Sequence, residues 1–314
     1  MDKTLIIDGP TREGPGREPR AGVRGDGFGA GDFELGDLLS DTGGMALVYL
    51  AYQKSFGGRR VVAKRLRPEF SLDREAAACR AFRDEGRKMA ALGAHPNIVQ
   101  VYYYDDANLT LYMEFVQGKT LDQCIELDGY PPAGRAVAIM SEVLDGLAFI
   151  HRADVIHLDI KPGNIFQLHD GHIKISDFGI AGQAAQRIRS GTPGYCSPEQ
   201  ALGHPVDPRS DVYSAGVLLF ELLAGRPPFR AKTMEDYAAT LQSVPVPDLL
   251  EALPNVPAAL RTVVGKALQT RVADRYSGAQ EFKDHLVRAW QVTTLRLDAM
   301  EKAAAAAAVS RTRR

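Results

Sequence analysis

The apolar pattern changes character once along this chain, and that change limits the folds open to it. From Phe33 to about residue 116, short runs rich in Val, Leu and Tyr recur: FELGDLL (33–39), ALVYLAYQ (46–53), RRVVAKRL (59–66), NIVQVYYYD (97–105) and LTLYMEFV (109–116). Gly, Pro, Asn or Asp bound them, which predicts strands. One helical stretch interrupts them over residues 73–92, with Ala76, Cys79, Phe82 and Met89 on roughly one face. Beyond the change, residues 134–152, 211–225 and 257–269 are helical by period and composition. A strand-rich half followed by a helix-rich half predicts an α+β chain of two lobes, joined near Val116–Lys119.

The flanks read differently. Residues 9–31 are mostly Gly, Arg and Pro with almost no large apolar side chains, so residues 1–31 are expected to be a disordered tail. At the other end, Ala303–Ala308 are unbroken alanine, and residues 291–314 are expected to extend the last helix as a solvated tail. The lobes then occupy residues 32–116 and 117–290.

Charge excludes some partners. Lys plus Arg number 38 and Asp plus Glu 39, so no global field points to nucleic acid or to an acidic membrane. Cys79, Cys124 and Cys196 are too far apart for a zinc pair or a redox motif, and suit a reducing compartment. The first residues lack the apolar stretch of a signal peptide, and no run of about eighteen apolar residues occurs. A cytoplasmic location is expected.

The most specific string is His157-Leu158-Asp159-Ile160-Lys161-Pro162-Gly163-Asn164, with Asp177-Phe178-Gly179 beginning thirteen residues later. Phosphoryl transfer asks for a carboxylate beside the attacking hydroxyl and for oxygen ligands that hold Mg²⁺ on the phosphates. Asp159 can supply the first, and Asn164 and Asp177 the second. Lys161 can neutralise charge on the γ-phosphate. A turn holding Asp, Pro, Gly and Asn is common by itself; this string followed by a short strand and Asp-Phe-Gly is rare by chance.

Here the sequence resembles the eukaryotic-like protein kinase family, over about Phe33 to Trp290. The resemblance implies the two-lobed protein kinase fold: a small antiparallel-sheet N-lobe with helix C, and a larger, mainly helical C-lobe. Val61-Val62-Ala63-Lys64 resembles the strand whose Lys contacts the ATP phosphates, and Glu85 sits where the helix C glutamate pairs with that Lys. Leu39, Gly43, Gly44, Val48, Ala63, Met113, Glu114 and Val116 are the further nucleotide-binding positions it implies. Met113 would be the gatekeeper, and the backbone of Glu114 and Val116 would bond the adenine edge. Asp159, Lys161 and Lys64 would be catalytic, with Asn164 and Asp177 as metal ligands. Glu199, Asp211 and Arg275 match buried braces of the family. Lys161, two residues after Asp159, and Thr192 resemble Ser/Thr rather than Tyr kinases. The resemblance therefore implies ATP with Mg²⁺ or Mn²⁺ as cofactors and proteins with Ser/Thr acceptors as substrates. It says nothing of oligomeric state.

Two departures stand out. The family's glycine loop would have Gly at 41, 43 and 46; here Asp41 and Ala46 flank Gly43, which is expected to weaken ATP binding. Leu158 stands where regulated kinases carry an Arg that grips an activation-loop phosphate, and Ser190 is the only hydroxyl between Gly179 and Gly191. Activity is therefore expected not to depend on activation-loop phosphorylation. The altered loop keeps a pseudokinase scaffold as the alternative. Against it stands the intact set Lys64, Glu85, Asp159, Lys161, Asn164 and Asp177. His169 and His172 flank a hairpin turn at Asp170-Gly171 and are expected at the surface; Cys196 reads as a small apolar residue.

Overall fold

A computed structural model describes residues 29–41, 45–71, 77–177, 191–243 and 256–312. The expected tail over 1–28, and Gly43, Gly44, Phe178, Gly179 and Ser190, lie outside these residues. The chain divides into two compact units, one of residues up to Ala94 with Val99–Lys119, the other of His95–Ile98 with residues from Thr120 onward.

The first unit is built on an antiparallel sheet. Its strands are β1 (Phe33–Ser40), β2 (Ala46–Gln53), β3 (Arg59–Leu66), β4 (Val101–Asp105) and β5 (Thr110–Glu114), in the order β1-β2-β3-β5-β4. Strand alternation sorts the side chains. Phe33, Ala51, Val61, Ala63 and Tyr112 are buried together on one face, with the Phe33 and Tyr112 rings stacked at 4.0 Å. The β2–β3 and β3–β5 registers place Val48, Val62, Lys64, Leu111 and Met113 on the opposite face. Just before β1 lies a 3-10 turn over Ala30–Asp32. Asp32 fixes it by accepting bonds from the Ser55 amide, the Ser55 hydroxyl and Gln53 at 2.8, 2.6 and 3.0 Å. A short helix α1 (Pro68–Ser71) precedes α2 (Ala77–Ala91), which buries Cys79, Phe82 and Met89.

The strand expected over 97–105 forms only from Val101. Asn97 is engaged in the second unit instead. Its Nδ2 donates to Glu142 and to the Ile173 carbonyl at 2.8 and 3.1 Å, and its own carbonyl accepts from the Ile175 amide at 2.9 Å. Those bonds hold it away from the first unit's ladder.

The second unit is mainly helical. Its helices are α3 (Leu121–Asp128), α4 (Ala133–His151), α5 (Pro198–Leu202), α6 (Arg209–Ala224), α7 (Met234–Ser243), α8 (Ala258–Ala267) and α9 (Ala279–Thr312). Short strand β6 (Gly118–Thr120) spans the division, and β7 (Ile165–Leu168) and β8 (Ile173–Ile175) form a hairpin. Its turn needs Gly171, at φ 90°, and leaves His169 and His172 exposed. Helix α6 is buried from Ser210 to Leu222. Its middle, Ala215–Phe220, carries no polar side chain, as suits a helix surrounded by protein on every side. A side chain at Gly216 would fall 2.8 Å from the Ala267 Cβ, so glycine permits the α6–α8 approach. Helix α9 packs on α4, with Trp290 against Gly134 and Lys283 paired to Asp145 at 2.6 Å. It then continues through the alanine run to Thr312. No helix among the described residues is long and apolar enough to cross a membrane.

Candidate active site

The loop between α4 and β7 carries the string singled out above, and buried Asp211 holds it. Asp211 lies in the first turn of α6 with no exposed surface. Its two oxygens accept the backbone N–H groups of His157 and Leu158, both at 2.8 Å, and His151 Nε2 meets it at 2.8 Å. Burial pushes its carboxyl pKa up; His151 and the N–H donors pull it down further, so the group stays ionised. Leu158 sits at φ 64°, a left-handed conformation costing a bulky residue about 1–3 kcal/mol. Asp211 on its N–H and Gln200 Nε2 on its carbonyl, at 2.8 Å, hold it there.

His157 ties the loop to the strand beyond it. Its Nδ1 accepts from the Asp159 amide at 3.2 Å, so the ring proton is on Nε2, which donates to the Ser176 carbonyl at 2.9 Å. Complete burial lowers its pKa and keeps it neutral. Ser176 donates through both its amide and its hydroxyl to the Asn164 carbonyl, at 2.9 and 3.2 Å. Asn164 and Asp177, the two expected metal ligands, are thereby linked through one residue. Asp177 itself is exposed, at φ 51°.

Around Asp159 the polar groups converge. Thr192 donates to its Oδ1 at 2.7 Å, Lys161 Nζ reaches its Oδ2 at 2.9 Å, and Lys161 also donates to the Thr192 hydroxyl at 2.8 Å. Asn164 Nδ2 donates to the Asp159 carbonyl and to Oδ2, at 2.8 and 2.9 Å. Burial raises the Asp159 pKa, but the Lys161 ammonium and the Thr192 hydroxyl lower it more, so it is a carboxylate at neutral pH. Because Asn164 bonds through Nδ2, its amide oxygen is turned away from Asp159. One amide oxygen and one carboxylate make a hard donor pair that suits Mg²⁺, which takes its other ligands from water and phosphate.

The segment after this site is braced by buried charge. Glu199 and Arg275 form a two-pronged pair at 2.7 and 2.8 Å, and Ser210 donates to Glu199 at 2.6 Å. Gly191, at φ 96°, packs where a side chain would lie 2.7 Å from the Cys196 Cβ. Burial pushes the Cys196 thiol up to about 12, so it is inert at neutral pH.

In the first unit, Lys64 and Glu85 are half-buried, on β3 and α2. Val48 and Leu111 pair across from Lys64, and Met113 across from Val62. Leu39, Glu114 and Val116 are half-buried, and the Glu114 amide donates to the Gln100 carbonyl at 2.8 Å. Ala63 requires a correction. It has no exposed surface and belongs to the apolar cluster on the face opposite Lys64, so it has nothing to offer a nucleotide. Two-residue alternation puts Val62 on the Lys64 face instead. Asp41 is exposed, and its carbonyl accepts from Arg67.

Sequence reasoning missed Gln200, His151 and Ser176. Gln200 had a legible signal: Ser197-Pro198-Glu199-Gln200 is a capping box, with Ser197 as the cap and Gln200 at its third helical position. The other two act through contacts distant in sequence.

Comparison with known proteins agrees with this geometry. The family described as "Protein kinase domain" matches residues 41–287. Serine/threonine-protein kinase PksC of Streptomyces coelicolor is 38% identical over 278 residues, covering 82% of this chain and 49% of PksC. Serine/threonine-protein kinase PknB of Mycobacterium leprae is 37% identical over 270 residues, covering 82% of this chain and 42% of PknB. Serine/threonine-protein kinase PrkC of Bacillus subtilis is 34% identical over 261 residues, covering 81% of this chain and 40% of PrkC. The chain spans half or less of the length of these relatives. With the match covering most of its residues, the chain belongs to the protein kinase domain family.

Proposed function

We propose that this chain is a Ser/Thr protein kinase, moving the γ-phosphate of ATP onto Ser or Thr hydroxyls of protein substrates. The observation that carries the reading is the knot around Asp159: Lys161, Thr192 and Asn164 all bond to it within 2.9 Å, and Lys161 bonds Thr192 as well. Asp159 would hold the incoming hydroxyl and take its proton as the bond to phosphorus forms. Lys161 would offset the charge that builds on the transferring phosphoryl group. Lys64, aligned by Glu85, would hold the α- and β-phosphates. Leu39, Val48, Val62 and Met113 would enclose the adenine, whose edge would meet the backbone at Glu114 and Val116. Asn164 and Asp177 would hold Mg²⁺, or Mn²⁺ in its place. The metal, when bound, neutralises the phosphates and keeps them in line.

Leu158 supports independence from activation-loop phosphorylation. Its side chain is buried and has no group to grip a phosphate, and its backbone is already fixed by Asp211 and Gln200. The relatives' names point to protein substrates with Ser or Thr acceptors. A cytoplasmic location fits the absence of a membrane-crossing helix among the described residues.

The test is transfer of label from γ-labelled ATP, with Mg²⁺ or Mn²⁺, to a generic protein acceptor, alongside Asp159→Asn. Transfer by the parent, falling about 10²–10⁴-fold in the variant, is expected. ATP binding without transfer by the parent would instead support the pseudokinase scaffold.

A further inference from the structure

We propose that Asp106, in the turn between β4 and β5, is a positioning residue: with Tyr104 it fixes the rotation of α2 and so aims Glu85. The inference rests on the role given to Glu85 above.

The observations lie within the first unit. Arg83 and Arg87 stand one turn apart on α2, and both reach Asp106 Oδ1: Arg83 Nε at 3.1 Å and Arg87 Nη2 at 3.5 Å. The Tyr104 hydroxyl donates to that same oxygen at 3.2 Å. Between the two arginines the helix lies directly on the Tyr104 ring. A side chain at Gly86 would fall 2.6 Å from two ring atoms, and the buried Phe82 ring lies 6.3 Å from Tyr104. Gly86 is therefore a slot for Tyr104, and Asp106 a latch beside it.

Helical geometry turns this into a statement about Glu85. At about 100° per residue, Cys79, Phe82, Gly86 and Met89 centre on one direction, the buried face. Arg83 and Arg87 lie on one flank of that face, and Glu85 about 80° round on the other flank. A rotation that lifts the arginines off Asp106 therefore swings Glu85 by the same angle. The slot alone resists sliding and tilting; the latch resists rolling. Asp106 and Arg87 keep 47% and 59% side-chain exposure, while Arg83 keeps only 19%; with the shared carboxylate half in solvent, the latch adds little to overall stability. Its effect should show in activity rather than in melting.

The experiment is a double-mutant cycle on the full chain, with hydrogen exchange as a second readout. We expect Asp106→Ala to lower kcat/KM for ATP roughly tenfold with the melting temperature nearly unchanged, and to speed amide exchange within 79–91. In the Glu85→Gln background the same substitution should change kcat/KM less than about twofold, because little aim remains to be lost. Asp106→Asn, which keeps an acceptor for Tyr104 but loses the charge, should fall between. Equal losses in both backgrounds would reduce Asp106 to a structural role and overturn the proposal. So would unchanged exchange in α2, or unchanged activity. If Glu85→Gln alone leaves activity intact, the role given to Glu85 fails and the aim with it. If the parent transfers no phosphate, the kinase reading fails, and the exchange data alone decide whether Asp106 latches the helix.

Discussion

The two units hold their functional residues by different physics. In the second, buried ionised groups do the holding. Asp211 and the Glu199–Arg275 pair lie inside the protein with hydrogen-bonded partners; Asp211 fixes the backbone leading into Asp159, and the pair braces the segment that follows the site. In the first, shape does most of it. An aromatic cluster backs the strand bearing Lys64, a glycine slot seats the helix bearing Glu85, and the carboxylate that trims the fit is half in solvent. Buried charge is rigid and brittle, because removing one partner strands the other in a dry site. An exposed latch is weak but adjustable. Part of the machinery is therefore set once, at folding, and part stays responsive.

That contrast can be broken experimentally. The largest expected effect is on Arg275→Ala, which leaves Glu199 ionised and unpaired. A loss of about 3–5 kcal/mol in denaturant unfolding is expected, against about 1 kcal/mol or less for Asp106→Ala. Similar losses for the two would erase the distinction. Next comes Gly191→Ala, which adds a Cβ at positive φ beside Cys196; about 1–3 kcal/mol should be lost. Gly86→Ala sharpens the comparison, since it too forces a clash, but against a single ring. Trimming that ring in Gly86→Ala/Tyr104→Leu should recover much of the stability lost by the glycine change alone.

The smallest effect concerns Glu281. Bonds from the Ser277 hydroxyl and amide, with Lys266 at 2.9 Å, lower its pKa to about 2. A depressed carboxyl stabilises the fold above its unfolded value, near 4.5, and that contribution fades as pH falls towards 2. The parent should therefore exceed Glu281→Gln in melting temperature at pH 7, and the gap should close between about pH 4.5 and 2. A gap independent of pH would assign the difference to packing.

Much of the fold was legible because local rules governed it. The runs ALVYLAYQ and RRVVAKRL became β2 and β3 with the expected ends. The run from Asn97 to Asp105 lost its first four residues to contacts made 45 or more positions away, which no local pattern reports. A motif's letters place Ala63 at the nucleotide, whereas counting alternate residues from Lys64 along the strand puts Val62 on the Lys64 face. Gln200 was readable as a capping residue. Asp106 was not, since nothing in its neighbourhood of sequence announces Arg83 and Arg87.

The engagement of His95–Ile98 has a consequence for anyone wishing to study the pieces. The chain leaves the first unit after Ala94, spends four residues in the second, and returns at Val99. No single snip of the polypeptide yields two self-sufficient fragments. A product ending at Lys119 would carry Asn97 and Ile98 without Glu142 or Ile175 to receive them. Dissection would need that loop rebuilt with polar residues, or the intact chain kept throughout.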